Sequence, residues 1–166
     1  MAEGGGAVAE VSLRPMSADE YRSWYDAAVR EYAAGHAESG NISLEEAQQM
    51  AKREFEQLLP QGPDTPGQHL FTMADSVSGE PVGTIWFAER GAPQVPHAFI
   101  YDIVVSERLR GKGYGKSALL AIEPKVRELG LQRIALHVFG TNKTAIGLYE
   151  RTGYEATNLL MAKDLS

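Results

Sequence analysis

Between an apolar run, Ala98 to Val105, and a run of helical periodicity, Ala118 to Leu129, lies the stretch Arg110-Gly111-Lys112-Gly113-Tyr114-Gly115-Lys116-Ser117. A β-branched strand that feeds glycines opening a helix aims several backbone N–H groups, and the positive end of the helix dipole, at one point in space. Each missing Cβ lets an anion approach the backbone, and a tight strand-to-helix turn can demand positive φ. Such a turn holds phosphate. The bland alternative is a glycine-rich turn whose basic residues are merely solvated.

Three phosphate loops compete for the stretch, and spacing separates them. A Walker loop needs Gly, four residues and then Gly-Lys-Ser or Gly-Lys-Thr; Gly115-Lys116-Ser117 supplies the end, but position 110 is Arg and the upstream glycine comes one place late. A dinucleotide fingerprint needs glycines at 111, 113 and 116, and Lys116 fills the third, where close helix packing wants no side chain. The third pattern, Arg/Gln-x-x-Gly-x-Gly/Ala, is met by Arg110, Gly113 and Gly115. Here the chain resembles the GCN5-related N-acetyltransferase (GNAT) family, whose motif cradles the pyrophosphate of coenzyme A. Asn142-Lys143-Thr144-Ala145-Ile146-Gly147-Leu148-Tyr149-Glu150-Arg151-Thr152-Gly153-Tyr154 is similar to that family's second signature, Asn-x-x-Ala-x-x-Leu-Tyr-x-x-x-Gly-Phe/Tyr, at every fixed position.

Composition narrows the chemistry. At 166 residues and 43% hydrophobic content the chain is long enough for one domain with a sizeable core. A net charge of -6 disfavours nonspecific nucleic-acid binding, which wants clustered surplus Lys and Arg, and mildly favours a cationic partner. No apolar run reaches the ~18 residues of a membrane span and no signal-peptide pattern precedes the fold, so no membrane partner and a cytoplasmic location are expected. Without cysteine there is no thiolate nucleophile and no Cys-based zinc site, so acyl transfer must avoid a cysteinyl-enzyme intermediate.

The rest of the chain reads as alternating elements. Residues 1–10, with Gly4-Gly5-Gly6, form an expected flexible tail, and 11–166 a single domain. Val11 to Arg14 is a short strand. Ser17-Ala18-Asp19-Glu20 and Ser43-Leu44-Glu45-Glu46 are capping boxes that open two helices, the first expected to stop at Gly35 and the second at Pro60. The polar junction from Tyr32 to Asn41 is then free to line an entrance. Strands follow at His69 to Asp75, Pro81 to Glu89 and Ala98 to Val105. A helix from Gly113 to Leu129 carries Pro124, where a kink is expected. Arg133 to Phe139 is a strand, a helix capped by Thr141 or Asn142 runs to Thr152, and Tyr154 to Lys163 is a closing strand. The order β-α-α-β-β-β-α-β-α-β predicts a single-domain α/β fold with a mixed central sheet flanked by four helices, the order of the GNAT fold.

The resemblance implies a sheet splayed between its fourth and fifth strands and an acetyl-CoA-dependent N-acetyltransferase, with no metal, that moves an acetyl group to a primary amine of a small molecule or peptide. Transfer is direct, in a ternary complex. A catalytically silent acyl-CoA-binding or sensing module is the alternative. By the same resemblance, Arg110, Gly111, Lys112, Gly113, Tyr114, Gly115 and Lys116 hold the coenzyme A pyrophosphate. Backbone groups of Ile103, Val104 and Val105 pair with the pantetheine amides, Asn142 contacts the cofactor, and the Tyr149 hydroxyl protonates or binds the leaving thiolate. An acceptor ammonium must lose a proton before it can attack. His137 is the expected base, with Asp102, His97 and Glu89 acting through water as alternatives, because Tyr101 stands where many relatives place a Glu. A homodimer is compatible with the resemblance.

Overall fold

The computed structural model describes residues 8–40 and 42–166. Most of the expected tail, residues 1–7, and Asn41 of the expected entrance therefore lie outside the described residues. The chain opens with β1 (Val11–Pro15) and continues through α1 (Ala18–Gly40) and α2 (Leu44–Leu58). Three long strands come next, β2 (Gln68–Asp75), β3 (Pro81–Arg90) and β4 (His97–Val105), followed by α3 (Tyr114–Glu128), β5 (Ile134–Leu136) and α4 (Lys143–Arg151). The sheet order is β1-β2-β3-β4-β5, with antiparallel neighbours except for the parallel pair β4 and β5. This is the single-domain α/β fold with a mixed sheet and four helices that the sequence predicts.

Both capping boxes form. The Ser17 hydroxyl accepts from Glu20 N at 3.1 Å while Glu20 accepts from Ser17 N at 3.1 Å, and Ser43 and Glu46 exchange the same pair of bonds. Such caps contribute about 1 kcal/mol each. Glu20 also binds Arg14 at 2.7 Å and the Thr72 hydroxyl at 2.7 Å, so the start of α1 is fastened to β1 and β2. The Arg14 guanidinium, ahead of the other donors, holds the Glu20 carboxyl down to about 2.

Each sheet face has its own core. One packs Ile85, Phe87 and Ile100 against Leu119, Ile122 and Val126 of α3. The other packs Trp86 and Leu70 against Trp24 and Phe55 of the α1–α2 layer, with the Trp24 and Trp86 rings edge-to-face at 5.3 Å. A third cluster of Ala33, Ala47 and Ala51, joined by Ala37 and Ile42, holds the far ends of α1 and α2 together.

Two expectations are corrected, the helix stop at Gly35 and the closing strand. Helix α1 does not stop at Gly35 but runs to Gly40, because the alanine-rich contact with α2 keeps its last turns packed. The Tyr32–Gly40 part of the expected entrance is therefore helical. Helix α3 is continuous across Pro124, which is exposed, as is Leu120, whose carbonyl loses its partner, so water can satisfy it. Tyr154 docks against the core, but residues 155–166 form no strand and β5 is the last strand of the sheet.

The Gly35 position yields a stability prediction. A Cβ there would meet nothing within 4 Å, so Gly35→Ala should stabilise the protein by about 0.5–1 kcal/mol by replacing a mid-helix glycine with the best helix former. Urea unfolding followed by circular dichroism measures it; a loss of stability would mean that α1 breaks at Gly35.

Candidate active site

The pairing of β3 with β4 builds the site. Trp86 lies opposite Asp102 and Phe87 opposite Ile100, so Tyr101 is an extra residue in β4. Such a bulge bends the strand and breaks the alternation of side chains. Phe99, Tyr101 and Asp102 consequently all belong to the α1–α2 side of the sheet: the Tyr101 ring stacks on Trp86 at 4.5 Å, and the Asp102 carboxylate accepts from the Trp24 indole N–H at 3.0 Å. Strict alternation would have sent Asp102 elsewhere.

On the other edge of β4, pairing to β5 covers only Ala98, Phe99 and Ile100. Beyond Ile100 and Leu136 the two chains part, and a cleft of about 190 Å³ opens between them. Tyr101, Asp102, Ile103, His137, Asn142 and Tyr149 are among the residues that line it. His137, exposed at the rim, meets the Phe139 ring edge-on at 5.2 Å. Val104 and Val105 lie farther along β4, towards the glycine turn. Of the remaining candidates, Glu89 is paired with His69 at 3.0 Å and His97 sits at the start of β4 beside Gly91. Neither lines the cleft.

The glycine turn closes the same end of the molecule. Gly111 (φ 75°) and Gly113 (φ 95°) are left-handed, and a Cβ on Gly111 would meet nothing within 4 Å. Gly113 is the N-cap of α3 with no side-chain cap, which leaves the first N–H groups of the helix without a side-chain partner among the described residues. The arginine Nε of Arg110 donates to Val105 O at 3.1 Å and so ties the turn to the strand end. Tyr114 turns away from the anion side, its hydroxyl donating to Asp75 at 2.8 Å. Gly115 serves packing: its Cβ would lie 3.1 Å from Leu148 Cδ2 and 3.9 Å from Val105 Cγ2. Lys112 and Lys116 are exposed. The donors and open space thus fit a pyrophosphate, with Gly115 and Tyr114 in supporting places.

Helix α4 brings the second motif to the cleft. Asn142 is its N-cap, accepting from Ala145 N at 3.1 Å. One helical span later Tyr149 lies partly buried, its ring 5.8 Å from that of Tyr154. Burial, and next the charge of Asp102, pushes the Tyr149 hydroxyl up. It therefore stays protonated near neutral pH, as a proton donor must.

Residues 21–154 match the acetyltransferase (GNAT) family. The chain belongs to the GNAT family. It is 40% identical over 156 residues to the "uncharacterized N-acetyltransferase YycN" of Bacillus subtilis (strain 168), across 93% of this chain and 99% of that one. The solved structure of that Bacillus protein superimposes with a TM-score of 0.84 at 39% identity, covering 94% of this chain and 99% of the other. A more distant relative, the mycothiol acetyltransferase of Kytococcus sedentarius, is 27% identical over 146 residues, or 87% of this chain but 45% of its own length.

Two residues of this GNAT site escaped the sequence reading. Trp24 looks like one more member of an aromatic helix stripe, and nothing in the sequence marks it as the donor to Asp102. The Tyr101 bulge is equally silent, since the run His97 to Val105 alternates too poorly to reveal an insertion.

Asp102 carries a stability cost. Burial, opposed by the Trp24 hydrogen bond and reinforced by Glu31, pushes its carboxyl up to about 6. A folded-state pKa above the unfolded one means that the native state binds the extra proton, so this contribution to stability is full at low pH and is lost as pH rises to about 6. Asp102→Asn keeps the shape and an acceptor for Trp24. It should flatten that decline and, near neutral pH, raise stability by on the order of 1–3 kcal/mol. Urea unfolding at a series of pH values tests this, and an unchanged pH slope would mean that Asp102 titrates normally.

Proposed function

We propose that the protein is an acetyl-CoA-dependent N-acetyltransferase that acetylates a primary amine of a small molecule or peptide by direct transfer. The observation that carries this reading is the placement of a half-buried carboxylate, Asp102, and a protonated phenol, Tyr149, on the walls of one cleft. The glycine turn lies at the far end of the same strand. In this reading the N–H groups at Gly111, Gly113 and the first turn of α3 hold the pyrophosphate, with Arg110, Lys112 and Lys116 adding charge. The unpaired edge of β4 from Ile103 to Val105 accepts the pantetheine amides as a further strand. Asn142, at the cleft, adds a polar contact.

The proton ledger assigns the side chains. An acceptor arrives as an ammonium, and Asp102 takes one of its protons, leaving a lone pair on nitrogen. Attack on the thioester carbon forms the C–N bond, and the C–S bond breaks with its electron pair leaving on sulfur. Tyr149 gives its proton to that sulfur, and the second N–H proton of the former amine restores the phenol. We place the base at Asp102 rather than His137 because a half-buried carboxyl raised to about 6 and held by the Trp24 indole is better matched to the task than an imidazole exposed at the rim. His137 remains placed to contact the acceptor.

Two measurements test the reading. Acetyl-CoA should raise the melting temperature while ATP with magnesium does not, and Gly113→Val should abolish that rise with the circular dichroism spectrum intact; greater stabilisation by ATP-magnesium would overturn the cofactor assignment. Free-thiol release over a panel of amines, including polyamines, aminoglycosides, amino acids and peptides, then identifies the acceptor, and coenzyme A binding without turnover on any amine would favour a silent sensing module.

With an acceptor in hand, kcat/KM should rise with pH through about 6, a limb that Asp102→Asn removes and His137→Gln leaves in place. The reverse pattern would make His137 the base. Tyr149→Phe should lower kcat about 10- to 1000-fold with little change in acetyl-CoA affinity; wild-type turnover would make the hydroxyl structural.

A further inference from the structure

Arg90 closes β3, opposite His97 at the start of β4. Side chains alternate along a strand, and its neighbour Glu89 pairs with His69, whose ring stacks on Phe87 of the core beneath α3. Arg90 therefore turns to the α1–α2 side. There its guanidinium carbon lies 4.7 Å from the centre of the Phe99 ring and 5.6 Å from that of Tyr101. A ring holds a cation through its π-cloud without neutralising its charge, and a guanidinium so held can still grip a planar anion along an N–H edge. Arg90 is exposed and makes no ion pair among the described residues.

The identity of residue 101 keeps this charge available. A carboxylate there would lie within reach of the guanidinium and pair with it, whereas the phenol ring supports the cation and cancels nothing. Tyr101 and Asp102 both line the cleft, so a single side chain separates the Arg90 cation from the carboxylate assigned to the acceptor amine. Burial foremost, and Glu31 of α1 by its charge, push that carboxyl up, so negative charge gathers on the Asp102 side. The approach to the cleft thus has a negative pole and a positive one.

The direction of β4 decides whose anion Arg90 can hold. The strand runs from His97, beside Arg90, past Asp102 to Val105, which the glycine turn touches through Arg110. Its eight steps at ~3.3 Å each span about 26 Å. A pyrophosphate at the turn and an anion at Arg90 therefore sit at opposite ends of the strand, with the cleft between them. Resting on the acetyltransferase reading given above, we infer that Arg90 is a specificity-determining residue that binds an anionic group, a carboxylate or a phosphate, on the acceptor whose amine meets Asp102. The acceptor class is then a zwitterionic amine, such as an amino acid or an amino phosphate. A polyamine is disfavoured, because its second cation would face the guanidinium.

Matched acceptors test this, with Arg90 as the probe. Free-thiol release from acetyl-CoA is measured for amino acids against their carboxamides, for phosphoethanolamine against ethanolamine, and for spermidine. The anionic member of a pair should have the higher kcat/KM, and the pair with the larger ratio tells carboxylate from phosphate. Arg90→Gln should raise KM for that anionic acceptor about 10- to 100-fold, the effect of losing a charged hydrogen bond, with a smaller change in kcat, and bring the ratio close to 1. Arg90→Lys keeps the charge without the planar fork and should fall between, while Arg90→Glu should reverse the preference. Because the side chain is exposed, all three variants should retain the circular dichroism spectrum and the melting shift with acetyl-CoA, which separates a lost contact from a lost fold. Neutral or polycationic amines used as well as anionic ones, or a ratio that Arg90→Gln leaves unchanged, would overturn the inference while acetyl transfer itself stands. Coenzyme A binding with no transfer to any amine would instead overturn the acetyltransferase reading, and this inference with it.

Discussion

The site depends on one extra residue in one strand. Side chains in a strand alternate with a period of two, so a single insertion moves everything beyond it to the opposite face. In β4 that insertion is Tyr101. It turns Asp102 toward α1, where the Trp24 indole meets it, and it bends the strand near the place where pairing with β5 ends. The carboxylate and the opening in the sheet thus have a common cause, and a β4 without the bulge would lack both.

What holds the bulge is aromatic packing. Tyr101 stacks on Trp86, Trp86 meets Trp24 edge-to-face, and Phe55 of α2 touches both tryptophans, with ring centres 6.2 Å and 5.6 Å away. The Trp86 N–H is satisfied by Gln68 at 2.7 Å, so no buried donor is left open. This cluster supplies apolar stabilisation large enough to tolerate a carboxylate that burial disfavours. The price of the site is thereby confined to Asp102, while the surrounding rings contribute both rigidity and dryness.

Much of this was legible in the sequence because it rests on local chemistry. Ser17 with Glu20 and Ser43 with Glu46 announce helix starts, Gly113 announces a left-handed turn, and Asn142 announces a cap, each through bonds within a few residues. The element order and the GNAT family follow from such signals together with the two motifs. What was not legible depends on distant partners. Gly35 reads as a stop and is overridden by Ala47 and Ala51, residues of another helix. The strand expected over Arg133 to Phe139 shrinks to Ile134–Leu136 because β4 bends away from it, and no residue in β5 records that. Residues 155–166 have the composition of a strand but pair with no strand among the described residues.

One contact ties the two ends of the site together. Gly115, at the start of α3, faces Leu148, the residue next to Tyr149 on α4, at a separation where an added methyl would already press on its neighbour. The helix that presents the anion turn and the helix that presents the phenol therefore meet without a spacer. In the function proposed above, their contact would fix the distance from phosphate site to proton donor much as the jaws of a caliper are set, and a ligand spanning the two would be measured for length as well as for charge.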